Sequence, residues 1–130
     1  MNATALACTV LLGLLLFGLG FGISILRFNS NRLAGHSGDP DDLLHKVVRA
    51  HGNTSEYAPF LAVLFLYIGM HGPSPTEIGL IVAATVSRFL TVIGLTAWPT
   101  MAKPNPLRFL GAIGTYLAGA ALCVTAWIGG

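Results

Sequence analysis

The sequence predicts an all-α membrane protein, an up-and-down bundle of four transmembrane helices, and three observations carry that prediction. The 130 residues are 54% hydrophobic and only 9% charged, against roughly 25% charged in an average soluble domain. Long apolar stretches recur, separated by clusters of Pro, Gly, Asn and charge. Four helices of roughly 20 residues, each able to cross about 30 Å of hydrocarbon, fill this length as one domain with short connections. Strand-like alternation over about ten residues is absent, which argues against a β-barrel, the other architecture that satisfies its backbone inside lipid.

The first helix is predicted over about 3–26, a segment without a charged residue that closes at Arg27. No basic residue precedes its apolar run, so it reads as a retained helix rather than a cleaved signal. Gly18 and Gly22 form a small-xxx-small pair through which another helix could approach. A polar loop follows and ends in Asp39-Pro40-Asp41-Asp42, read as a helix start with Asp39 as cap and Pro40 at the first position. The second helix is predicted over about 40–70, with Pro59 inside it removing one backbone hydrogen bond and producing a kink. His71-Gly72-Pro73 makes a tight turn. Ser74-Pro75-Thr76-Glu77 has the capping-box order and opens a third helix over about 75–97. Trp98-Pro99 ends that helix, and Asn105-Pro106 caps and starts a fourth over about 106–128.

The basic residues fix an orientation. Arg27, Arg32, Lys46, Arg49, Lys103 and Arg108 flank the first and third loops, while the second loop has none. By the positive-inside rule the first and third loops are cytoplasmic and both termini face the other side. The net charge of +2, without a Lys/Arg run, gives no footprint for nucleic acid. Cys8 and Cys123 stand far apart in apolar segments and read as packing residues.

Function is sought in the polar residues of the second helix. With about 100° of rotation per residue, His45, Arg49, Asn53 and Glu56 fall within an arc of roughly 80°. A charge at the bilayer centre costs at least about 2.5 to 3.5 kcal/mol, so this stripe faces protein or water rather than lipid. Two readings stand. Arg49 and Glu56 pair with each other and only hold helices together, or the stripe binds a zwitterionic ligand, since Arg forks onto carboxylates, Glu accepts from an ammonium group and Asn does both. Tyr57 flanks the stripe, as a ligand donor or as a partner of a backbone carbonyl. His51 points away from the stripe's centre and has no ligand-spaced partner, so no metal site is expected. Arg88 lies amid apolar residues of the third helix and points into the bundle. Arg108 opens the fourth helix as a functional cation or an interfacial anchor.

The run Arg49-Ala50-His51-Gly52-Asn53-Thr54-Ser55-Glu56-Tyr57-Ala58-Pro59 resembles the second-helix signature of the MAPEG family, the membrane-associated proteins in eicosanoid and glutathione metabolism. The family's Arg, Asn, Glu, Tyr and Pro fall on Arg49, Asn53, Glu56, Tyr57 and Pro59. The resemblance implies a homotrimer of four-helix subunits that binds glutathione as co-substrate between adjacent subunits, toward the cytoplasmic side. It puts glutathione contacts at Arg49, Asn53, Glu56 and Tyr57, and adds as binding residues Arg88, which matches a basic third-helix position, and His51, which stands where Gln is common. It makes Arg108 the catalytic residue, a cation that lowers the glutathione thiol pKa from about 8.5 and so supplies the nucleophile. Eicosanoid-synthesising members carry tyrosines one and two turns beyond the third-helix Arg, where this chain has Thr91 and Leu95.

The implied function is a membrane-bound glutathione transferase or peroxidase that conjugates or reduces hydrophobic small-molecule electrophiles arriving from the bilayer. The alternative is a non-catalytic membrane protein of the same fold that binds glutathione, a related thiol or a lipid. A small transporter is a third class, motivated only by the intramembrane charges, and no inverted repeat supports it. The short chain and loops suit a bacterial inner membrane ahead of the endoplasmic reticulum.

Overall fold

The computed structural model describes residues 1–129 and contains four helices: α1 Ala3–Asn29, α2 Leu43–Met70, α3 Pro75–Thr96 and α4 Pro106–Ile128. Three of them, α1, α3 and α4, are long and apolar enough to cross a membrane. The prediction of four spans therefore holds in full for three. α2 falls short by composition because Lys46, Arg49, His51, Asn53 and Glu56 occupy its first half, although its length matches the others.

Local chemistry sets the helix ends. The Asn2 carboxamide oxygen accepts from the amides of Thr4 at 2.9 Å and Ala5 at 3.2 Å, satisfying two donors that a helix start leaves free. Ser74 and Glu77 form a reciprocal capping box: the Glu77 carboxylate accepts from the Ser74 amide at 2.8 Å and Ser74 Oγ accepts from the Glu77 amide at 3.3 Å. Asn105 caps α4 through Leu107 and Arg108, with Pro106 at the first position. Gly72 turns the chain between α2 and α3 at φ +72, a conformation that costs other residues strain.

The start of α2 differs from the expectation. The helix begins at Leu43 with Asp42 at the cap, because Asp39 spends its carboxylate on the Asp41 amide at 2.9 Å and folds residues 39–42 into a turn. Asp42 makes no side-chain cap bond. Its Oδ2 instead accepts from Ser37 Oγ at 2.7 Å and from Arg32 Nη1 at 3.3 Å. The Ser37 hydrogen bond is the main reason its carboxyl sits below the ordinary value of 3.8, with Arg32 adding to it. α2 passes through Pro59 without a break in the helix.

α1 packs chiefly on α2 and α3 on α4, α2 joins the two pairs through α3, and α1 and α4 do not meet. The larger core cluster gathers Leu12, Leu61, Phe65, Ile68, Ile81 and Leu122, with Cys8 among them. Close approach of α1 to α2 occurs at Ala5 and Gly69, where a β-carbon added to the glycine would lie 2.8 Å from that of Ala5. Gly18 and Gly22, read as a pair through which another helix could approach, have nothing within 4 Å of such an atom in this chain. The α3 and α4 interface is built on Ser87, Thr91, Gly94, Gly111 and Gly114, small residues that bring the backbones together.

The first and third loops join at one end of the bundle. The Met101 amide donates to the Pro40 carbonyl at 3.1 Å, and Lys46 Nζ donates to the carbonyls of Trp98 at 3.0 Å and Pro99 at 2.7 Å. Lys46 is buried and satisfies two carbonyl oxygens of the turn that follows α3. This clamp holds the start of α2 against the connection that leads into α4.

Candidate functional site

Three helices contribute one-face ladders to a single cleft of about 120 Å³: Arg49 and Asn53 from α2, Arg88, Thr91 and Leu95 from α3, and Arg108, Ala112 and Tyr116 from α4. The intervals of three and four residues are those of one helix face. Of the residues singled out in the sequence, Arg49, Asn53, Arg88 and Arg108 are thus brought together.

Arg88 is the buried cation, 1% exposed at the centre of the bundle. Its Nη2 donates to Asn53 Oδ1 at 2.7 Å, and its guanidinium carbon lies 5.2 Å from the centre of the Tyr57 ring. A charge this deep is tolerated only with such partners, and the aromatic face adds about 1 kcal/mol or more once water is excluded. Nε of Arg88 is buried without a hydrogen-bond partner, so the cation's hydrogen-bonding capacity is only partly used. Arg49 and Arg108 are exposed at the rim.

The position of Arg108 is set by its backbone. Asn105 Nδ2 donates to the Gly94 carbonyl at 2.6 Å while its Oδ1 accepts from the Arg108 amide at 3.2 Å, which fastens the start of α4 to α3. A β-carbon at Gly94 would lie 2.6 Å from the Arg108 nitrogen, so only glycine admits this approach. Among the described residues no carboxylate lines the cleft. Three guanidinium groups with no anion among them make a site of positive potential, suited to a carboxylate, thiolate or phosphate.

Glu56 and Tyr57 lie one to two turns farther along α2 and line a different space. This is a groove of about 400 Å³ between α2 and α4, bounded by Phe60, Leu61, Leu64, Thr115, Tyr116 and Cys123 among others. Tyr116 borders both the groove and the cleft, and its ring centre stands 5.7 Å from that of Tyr57.

Other expectations are revised. Within the chain Arg49 and Glu56 do not pair, and the one salt bridge among the described residues joins Arg32 to Asp42. His45 leaves the stripe: its Nδ1 lies 2.9 Å from the Asp39 carbonyl and its ring stacks on His36 at 4.2 Å. His51 packs against α1, with Nε2 3.4 Å from where a Gly20 β-carbon would stand, so it does not enter the cleft. Cys8 packs as expected, whereas Cys123 is exposed and lines the groove. Among the described residues no three His, Cys, Asp or Glu side chains gather as a metal site would need. Sequence reasoning missed Tyr116, and read Asn105 as a helix cap without its bond to Gly94. The signal for Tyr116 was its spacing, eight residues after Arg108 with Ala112 between.

The model of the MAPEG family matches residues 5–128, nearly the whole chain. No curated protein matches it.

Proposed function

This chain belongs to the MAPEG family, and from that premise we propose that it is a membrane-bound enzyme that joins the thiol of glutathione to lipophilic electrophiles, or uses it to reduce them. The observation that carries this reading is the convergence of Arg49, Asn53, Arg88 and Arg108 on one cleft. Arg88 and Asn53 hold a carboxylate of the tripeptide, Arg49 steers it from the rim, and Arg108 stands beside the sulfur. A cation there stabilises the thiolate and lowers the thiol pKa from about 8.5, so that the nucleophile exists at neutral pH. Glu56 and Tyr57 face the groove, where the ammonium end of glutathione and the electrophile meet apolar surface reached from the bilayer.

Small-molecule sites commonly measure about 300 Å³ or more, so a cleft of about 120 Å³ encloses one anionic group and leaves the rest of the ligand outside. That supports completion of the site by a neighbouring copy in a homotrimer. α2 then crosses the bilayer with its polar half shielded by protein, and the loops carrying Arg27, Arg32 and Lys103 face the cytoplasm, in a bacterial inner membrane by preference. A second reading, a protein that binds a thiol or a lipid phosphate without turnover, is favoured by Thr91 and Leu95 in the cleft where eicosanoid-synthesising members carry tyrosines. His51 has no part in either.

The test is glutathione binding and turnover by purified protein in detergent, with a chromogenic electrophile and a hydroperoxide. Binding by the wild type, weaker binding by Arg49→Ala, and product formation lost in Arg108→Ala support the enzyme. Binding without product for any acceptor supports the second reading, and absence of binding removes both.

A further inference from the structure

We propose that the Tyr116 phenol is the proton donor to the electrophile, and that this makes α,β-unsaturated carbonyl compounds the favoured co-substrates; the inference rests on the thiol-transfer reading above. Tyr116 is the one side chain that lines both the cationic cleft and the apolar groove. If the anionic thiol is held in the cleft and the lipophilic acceptor in the groove, the new bond forms at the boundary between them, where this phenol stands.

One other hydroxyl donor of the groove is committed to its own helix. Thr115 is 2% exposed and gives its Oγ1 hydrogen to the Gly111 carbonyl at 2.7 Å. Tyr57 turns its ring face to the Arg88 guanidinium at 5.2 Å, a contact that leaves its hydroxyl beside Tyr116. Tyr116 is 53% exposed, and its phenol pairs with that of Tyr57, an arrangement that leaves the pair one hydroxyl proton to give to a ligand. Its ring packs 5.7 Å from that of Tyr57, which fixes its place at the border of cleft and groove. The groove around it is largely apolar, with Phe60, Leu61, Leu64 and Ala120 beside Glu56 on its wall, and in such surroundings a donor aimed at a developing oxyanion counts for more than in water.

The step balances as an addition. The thiolate sulfur forms a bond to the β-carbon of the enone, the carbon–carbon π pair moves toward the carbonyl, and the carbonyl π pair moves to oxygen as enolate. Tyr116 gives its hydroxyl proton to that oxygen and is reprotonated from water, and the enol returns to the ketone or aldehyde by taking a proton on the α-carbon. No oxidant or reductant is consumed. An alkyl or benzyl halide differs, because halide departs with its own electron pair and needs no proton, so Tyr116 contributes nothing specific to that reaction.

The experiment compares wild type with Tyr116→Phe in micelles at saturating glutathione, measuring kcat for a long-chain 2-enal and for a benzyl halide, together with glutathione affinity as a check on folding. The expected result is a fall in the ratio of enal to halide turnover on the order of a hundredfold, the typical contribution of a positioned acid. A ratio that stays within about twofold, whether both rates hold or both fall, overturns the assignment of Tyr116, since a proton donor acts on one substrate and not the other. A wild type that turns over neither substrate overturns the thiol-transfer reading itself, and this assignment with it.

Discussion

The contact between Arg88 and Asn53 joins α2 to α3 at the floor of the cleft, and its strength can be worked from the structure. Arg88 is 1% exposed, and the 2.7 Å bond to Asn53 Oδ1 is its one side-chain hydrogen bond. Neutral hydrogen bonds between membrane helices average only about 0.6 kcal/mol, because the separated helices find other partners. A bond to a charged group contributes about 1.5 to 3 kcal/mol. Charge decides between the two figures here, since a guanidinium with an unpartnered Nε has no spare protein partner to turn to. A double-mutant cycle with Asn53→Ala and Arg88→Met should therefore give a coupling energy of about 1.5 kcal/mol or more. The assay is reversible unfolding of the four proteins in mixed micelles, followed by circular dichroism. A coupling below about 0.5 kcal/mol, the scatter of independent sites, would refute the claim that Asn53 is what makes the buried cation tolerable.

Three further outcomes are expected. Gly94→Ala places a β-carbon 2.6 Å from the Arg108 backbone nitrogen, so it should cost about 1 to 3 kcal/mol as overpacking and weaken glutathione binding together with thermal stability; intact binding would separate Arg108 from the site. Lys46→Met removes the donor to the Trp98 and Pro99 carbonyls, which should cost about 1.5 to 3 kcal/mol and raise protease cleavage in the third loop, with an unchanged cleavage rate arguing against the clamp. The Asp42 carboxyl is held below 3.8 chiefly by Ser37. Its ordering of the first loop is accordingly complete above pH 3.8 and lost as pH falls through the lower folded value. Hydrogen exchange in residues 32–42 should rise on that acid limb, and Asp42→Asn should show the faster exchange at neutral pH as well.

Much of this architecture is legible in the sequence because its determinants are local. Ser74 with Glu77, and Asn105 with Pro106, satisfy helix ends within three residues, and apolar runs announce α1, α3 and α4. The stripe of Arg49 and Asn53 is equally local, since a helix wheel fixes which residues share a face. What a wheel omits is the neighbour. His45 and His51 lie near Arg49 in sequence, yet one is taken by the first loop and the other by Gly20 of α1. Asp39 looked like a cap by type and position, and lost that role because a turn used its carboxylate first. Tyr116 was overlooked because an aromatic in an apolar helix usually packs or meets lipid. Only the crossing of α4 over α2 and α3 shows that it stands between the charged cleft and the apolar groove. The departure at Thr91 has a local reason too: this side chain is 3% exposed and faces Gly111, leaving no room for a larger residue where α3 and α4 touch.

The central claim is that this cleft holds a glutathione thiolate beside Arg108. The direct measurement is ultraviolet absorbance of the thiolate in the protein–glutathione complex, titrated against pH for wild type and Arg108→Ala at saturating ligand. The account predicts a bound thiol pKa well below the free value of about 8.5 in the wild type and a return toward that value in the variant. A bound thiol that ionises as free glutathione does, or a depressed value that survives the loss of Arg108, would contradict it.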